Sequence, residues 1–431
     1  MAVKPKLALI PSGVKASKVY SVLPSDGTGD FDFSRSGSAT RVNKDGLIET
    51  VDSNVPRLNY PMIDGVVSGC PSLLLEPART NLIQYSEDFS QSYWNKSGLL
   101  APVSGFISPD GTLNATKITG VNNYGSVFIP SITVLSGVKY TYSVFAKKNI
   151  SSKVSLRAFT TGNDTRVVFN LDDLSTNISE GYDIGYDSSS IEVYSNGWYK
   201  CILTVTTATT SLRLNIYPDS PNDVSSQSSF YIYGAQLEQG SYATSYIPTN
   251  GSTATRSAET CNGAGDANTF NDSEGVLMAE ISALDNIGSF ENLSLSNGNS
   301  TSRVFLFYRN SLNLMEFRVT VNNVIQMQFQ YTIEDAKTFN KMLIKYKQND
   351  FAVWINGFEL HTDNSGITFN SYPLNNLSFD NGKVSAPTDP FYGNTKQLQY
   401  FDSALNDTDL ETLTSWTSFN EMAESQLYSV Y

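Results

Sequence analysis

The chain has 431 residues, enough for roughly two to four domains, since single cores stop growing well short of that length. Only 16% of residues are charged while aromatics reach 12%, which excludes intrinsic disorder and suits proteins built of strands and turns. Acidic residues outnumber basic ones by 42 to 29, a net charge of −13 that repels phosphate backbones; with no basic run among the aromatics, sequence-independent nucleic-acid binding is excluded.

In chain order, residues 19–23 and 31–33 are short β runs broken by Gly and Asp turns. Lys44-Asp45-Gly46 is a hairpin turn feeding Leu47 and Ile48. An apolar run at residues 73–75 stops before Pro77. Residues 1–82 alternate too little for an independent core and are expected to pack on copies of themselves or on a neighbouring protein.

Residues 83–250 carry the pattern of a sandwich. In residues 140–148, Tyr140, Tyr142, Val144 and Ala146 fall on one side and Thr141, Ser143 and Phe145 on the other. Strands follow at 153–159, 166–171, 190–194, 198–207 and 211–217, with an aromatic strand from Phe230 closing the series. Polar turns between them predict an antiparallel jelly roll.

Residues 251–264 are polar, without helical period, and read as a flexible linker. Within it GSTATR (251–256) echoes SGSATR (36–41), two similar connectors rather than a repeat. A second strand series fills residues 265–431. Gln348-Asn349-Asp350 turns one strand back, and Asn356-Gly357 is a tight-turn signal. Asn406 caps a short helix with Asp409 at its third position and Leu410 and Leu413 facing inward. The last residues, 420–431, form another helical turn or pack along the domain. The fold class is therefore all-β, tandem antiparallel β-sandwiches after a small N-terminal segment.

Cys70, Cys201 and Cys261 are odd in number and far apart, so they read as thiols of a reducing compartment. Two lysines and the short run LALI before Pro11 do not make a signal peptide, and no apolar run reaches membrane-spanning length. The expectation is synthesis in a cytoplasm, without membrane insertion and with lysis as a route out.

Three stretches, NLIQYSEDFSQSYW (81–94), NGWYKCILTV (196–205) and YIYGAQLEQGSYATSYIPT (231–249), resemble jelly-roll carbohydrate-binding modules. Upstream, FSRSGSATRVNKDGLIE (33–49) and CPSLLLEPARTNLI (70–83) are similar to virion fibre proteins of tailed phages of Bacteroidota, including crAss-like phages. VWING (353–357) and QLQYFDSALNDTDLETL (397–413) resemble laminin-G or concanavalin-type domains. The resemblance implies a structural head or tail fibre on the virion surface, assembled in the host cytoplasm as a homotrimer. Its N-terminal segment would attach to capsid or tail proteins while the outer sandwiches meet host surface glycans.

No residue reads as catalytic, and the chain is not expected to be an enzyme. His361, the single histidine, cannot build a triad or zinc centre alone and reads as a surface loop residue. No G-x-S-x-G, phosphate loop or H-E-x-x-H occurs. The carboxylate pairs a glycosidase would need are Asp172-Asp173, Glu87-Asp88 and Asp407 with Asp409. They read as a turn, a loop and a helix start, which leaves a capsule depolymerase as the lesser alternative. Carbohydrate-binding jelly rolls hold structural calcium, which the resemblance would place near Glu87, Asp88 and Glu238. Without a compact ligand loop these read as surface charge, and no metal or cofactor is expected.

Glycan binding asks for exposed aromatic faces beside hydrogen-bonding groups, and Tyr124, Tyr217, Trp354 and Tyr392 are the candidates. Trp94 and Trp198 read as core. The alternative is a purely architectural virion protein that binds no sugar.

Overall fold

The computed structural model describes residues 4–121, 125–218, 228–286, 290–417 and 421. Two β-sandwiches account for most of it, and the described helices are Asp407–Thr414 and the short 3-10 turn Ser195–Gly197. The all-β expectation holds.

The first sandwich stacks two six-stranded antiparallel sheets. One runs Asn95–Ser97, Ser126–Thr133, Ser211–Tyr217, Lys153–Thr160, Asn163–Asn170 and Thr176–Asp183. The other runs Val103–Phe106, Ala115–Thr119, Ser229–Gln239, Lys139–Lys148, Trp198–Thr206 and Tyr186–Val193. Between them lie Trp94, Leu156, Phe169, Leu203, Leu214 and Leu237. Lys139–Lys148 sends Tyr140, Tyr142, Val144 and Ala146 into this core, the side its alternation predicts. Phe145, on the opposite side, is also buried, against Ile48, Trp198, Tyr233 and Tyr246, because the chain's own leading segment lies over this sheet. Among the described residues no second apolar core forms on the outer side of the first sheet.

The second sandwich has a large sheet ordered Phe358–Asp363, Phe351–Ile355, Asn340–Lys347, Glu274–Ala283, Gly393–Phe401, Ser72–Leu75 and Arg57–Asn59. Its partner is the five-stranded sheet of Val324–Thr332, Leu314–Val321, Arg303–Tyr308, Glu291–Ser296 and Asn376–Ser378. Helix Asp407–Thr414 covers the large sheet, packing Leu410 with Val276, Met278, Leu343, Trp354 and Phe401. The Asn406 side chain caps it as predicted, accepting the Asp409 N–H at 3.0 Å. Asn356 and Gly357 both take left-handed φ, 50° and 88°, as a two-residue hairpin turn requires. That turn is tight enough for pairing to resume at once, so His361 stands in a strand, not a loop, with its ring stacked on Phe329 at 4.8 Å.

The leading segment finds its company within this chain. Leu7–Leu9 and Ser72–Leu75 pair end to end along one edge of Gly393–Phe401. Leu7, Leu9, Phe31, Phe33, Leu73 and Leu75 enter the second sandwich's core. The presumed linker is likewise structured: Ala254–Arg256 pairs with Arg79–Asn81, and Thr260–Asn262 with Phe31–Ser34. Its polar composition misleads because Arg256 and Glu259 are buried as ion-pair partners, not solvated.

Those partners form one cluster. Arg57 bonds Glu259 and lies 2.6 Å from Glu76; Arg35 lies 2.7 Å from Glu259 and Arg256 3.0 Å from Glu76. Ser245, at the end of the jelly roll, donates both its N–H and its hydroxyl to Glu76. Burial pushes the Glu76 carboxyl up, but Arg256, Arg57 and Ser245 outweigh it and hold the group well below the usual carboxylate range. One ionic knot thus joins the leading segment, the jelly roll and the connector.

Candidate functional site

The open sheet of the jelly roll owes its outer face to strand alternation. In Ser211–Tyr217 the core takes Leu212, Leu214 and Ile216, which sends Arg213, Asn215 and Tyr217 outward. By the same rule Val154, Leu156 and Ala158 point in, leaving Arg157 and Phe159 outside. Val167 and Phe169 turn Asp164 and Arg166 outward, and Val127 and Ile129 turn Phe128 outward. Register then aligns the side chains. Phe128 faces Asn215, Asn215 faces Arg157, and Arg157 faces Arg166, one row across four strands.

Each arginine in this face lies on an aromatic ring. Arg213 sits 4.2 Å from the Phe128 centroid and donates its Nε to Asn215 Oδ1 at 3.0 Å. Arg157 forks onto Asp164 at 2.7 and 2.5 Å and lies over Phe159 and Tyr182. Arg166 stacks on Tyr217 at 3.9 Å and is only 4% exposed, and its Nε has no hydrogen-bond partner. Burial pushes the Arg166 pKa down. Asp164, on the same face, is already committed to Arg157. Among the described residues the face sets three guanidiniums about Asp164, which acts on Arg166 but makes its ion pair with Arg157, so the most buried cation has no ion pair of its own, a costly arrangement that an incoming anion would relieve. Since guanidiniums cap the rings, the surface offers charge and N–H donors more than bare aromatic faces.

Of the predicted glycan residues, Tyr217 belongs to this face, but it is 7% exposed and lies beneath Arg166. Trp354 is corrected: at 6% exposure it is packed under helix Asp407–Thr414, which converts the sheet's outer side into a second core. Tyr392 is half-buried against the second sandwich, and burial pushes its phenol up. Tyr124 lies outside the described residues. Trp94 and Trp198 are fully buried, as expected. Sequence reasoning missed Arg157, Arg166 and Arg213. It sought exposed aromatic faces, although the alternation in SLRLNIY and KVSLRAF already put arginines on one side.

The acidic candidates separate. Glu238 is buried, not surface charge, accepting from Thr244 N–H at 2.9 Å, Thr244 Oγ1 at 2.7 Å and Gln236 at 2.7 Å. Asp88 accepts from Ser90 and Gln91. Glu87 accepts from Tyr246 at 3.0 Å and shares both Tyr233 and Asn114 with Asp110, beside a cleft of about 640 Å³. Burial pushes the Glu87 carboxyl up, while hydrogen bonds led by Ser108 and Thr112 overcome burial and hold Asp110 down. Among the described residues no three His, Cys, Asp or Glu side chains gather as a metal site. Asp172 pairs with Lys148 at 2.7 Å in an exposed turn, and Asp407 and Asp409 occupy the helix's first turn.

No family model matches the chain, and no curated relative matches it either. Among solved structures it is similar to the CBM40 of Ruminococcus gnavus IT-sialidase bound to α2,3-sialyllactose, at 15% identity, covering 36% of this chain and 94% of that one with a TM-score of 0.31. It is also similar to the leech intramolecular trans-sialidase, at 14% identity over 37% of this chain and 27% of that one, TM-score 0.29. A SAP-like pentraxin from Limulus polyphemus matches at 12% identity over 37% and 76%, TM-score 0.29. At such values the fold assignment rests on the sheets described above.

Proposed function

We propose that this chain is a non-catalytic adhesion protein that holds acidic glycans on the open face of its jelly-roll sandwich. The carrying observation is Arg166, buried on Tyr217 with no hydrogen bond from its Nε among the described residues, in a row with Arg157 and Asn215 and with Arg213 on the same face. A carboxylated or sulfated sugar supplies an anion for Arg166, and its hydroxyls suit the guanidinium donors. On a chain of net charge −13, a local surplus of cations is a selective feature.

The finer role is that of a head or tail fibre or decoration of a tailed-phage particle, a homotrimer anchored through its N-terminal part at the virion surface. The stretches at 33–49 and 70–83 support it through their resemblance to such fibres. Within the chain, Ser72–Leu75 of the second stretch joins the large sheet of the second sandwich and Phe33 of the first enters its core, so anchoring would use the remaining exposed surface of the N-terminal part, including Val66 between them.

A glycan array spanning acidic and neutral host polysaccharides tests the binding. Acidic sugars should bind, with affinity falling as salt rises through the Debye range, and Arg213→Gln should weaken them roughly tenfold. Silence toward every acidic glycan would favour a purely architectural protein. New reducing ends after incubation with capsule would instead make it a depolymerase.

A further inference from the structure

The second sandwich carries a face built to the same plan from different residues. In Arg303–Tyr308 the core takes Val304, Leu306 and Tyr308, so Arg303, Phe305 and Phe307 point outward. The neighbouring strand turns Glu316 and Arg318 to that side, since Met315, Phe317 and Val319 are core. Phe305 and Phe307 stack on each other at 4.9 Å. Arg303 lies 4.3 Å from the Phe305 centroid, Arg318 lies over both rings, and Arg309 over Phe307.

Glu316 organises this face. Its side chain is fully buried, although it leaves the sheet on the side away from the core. Arg309 and Arg318 ion-pair with it, and Gln328 and Gln330 each donate to it at 2.8 Å. Four planar groups are thereby held by one saturated carboxylate, which removes much of the ordering cost of binding. Arg303 donates to the Asn381 carbonyl at 2.6 Å, yet its Nε, like that of Arg318, has no partner. Asp389 acts on Arg303 from the rim. Three guanidiniums again exceed the acids they meet.

We propose that this face is a second site for acidic polysaccharide, so that one chain grips a polyanion through two sandwiches. The charge surplus selects an anion, and the rigid fork-and-amide array suits a sugar carboxylate or sulfate with its hydroxyls. The ligand class is shared with the jelly-roll reading, but the residues are independent of it.

The experiment measures binding of the intact chain to polygalacturonate, with dextran as the neutral control. The variants are Arg303→Gln with Arg318→Gln, Arg213→Gln, and all three together; melting temperature reports whether each still folds. Gln328→Ala serves as a milder variant should the double substitution fail to fold. Two sites on one chain predict that either set weakens polymer binding roughly tenfold or more and the triple variant abolishes it, with no dextran binding throughout. If the second-sandwich variants bind as wild type, the second site is refuted whatever Arg213→Gln does. If only Arg213→Gln is silent, the jelly-roll reading fails and this one stands. Unchanged binding in all variants, or equal binding of dextran, overturns both.

Discussion

Arg57 is fully buried and bonds two carboxylates drawn from different parts of the chain. Removing one member of such a cluster strands the others without charge partners. Arg57→Ala should therefore cost roughly 3–5 kcal/mol in denaturant unfolding; a loss under 1 kcal/mol would mean the cluster is solvated. Glu76 sets a pH signature. Its folded pKa lies below the ordinary value of 4.5, so its contribution is complete above that pH and is lost as pH falls toward the folded value. The melting-temperature gap between wild type and Glu76→Gln should thus be full at neutral pH and close progressively below about pH 4.5. A gap that does not change with pH would show that the ionised carboxyl is not what the fold favours.

At the scale of elements, the short strand Leu7–Leu9 is bound to both a sheet edge and a core. Leu9→Ala should cost about 2–5 kcal/mol by opening a cavity. Deleting residues 4–12 should speed amide exchange at Leu398 and Tyr400 while leaving the jelly roll protected; protection unchanged at those residues would contradict the pairing. Asn406→Ala should cost about 1 kcal/mol through the lost cap, read as a small drop in melting temperature.

The elements most legible in the sequence are those with local causes. Asn356-Gly357 needs left-handed backbone, Asn406 caps a helix that begins after it, and residues 140–148 alternate against a neighbouring sheet. What stayed hidden depends on residues far away in the chain. Trp354 could not be seen as covered without knowing where a helix more than fifty residues later would lie. Arg256 and Glu259 look solvated until Arg57 and Glu76 are brought beside them. The arginine rows were half legible: alternation shows which side each Arg takes, but only cross-strand register places Arg166, Arg157 and Asn215 together.

For the whole molecule, both sandwiches spend one sheet on internal packing and leave the other open. The first is covered by the leading segment and the second by its own helix. Each open sheet then bears arginines laid on aromatic rings with fewer acids than cations. That shared asymmetry is what the proposed multivalent grip on acidic sugars rests on. The most direct test is a crystal structure of the intact chain with an oligogalacturonate. A sugar carboxylate should lie within hydrogen-bonding distance of the Arg213 or Arg166 guanidinium on the open jelly-roll sheet. An oligosaccharide seated instead in the cleft beside Glu87 and Asp110, with that sheet bare, would contradict the proposal.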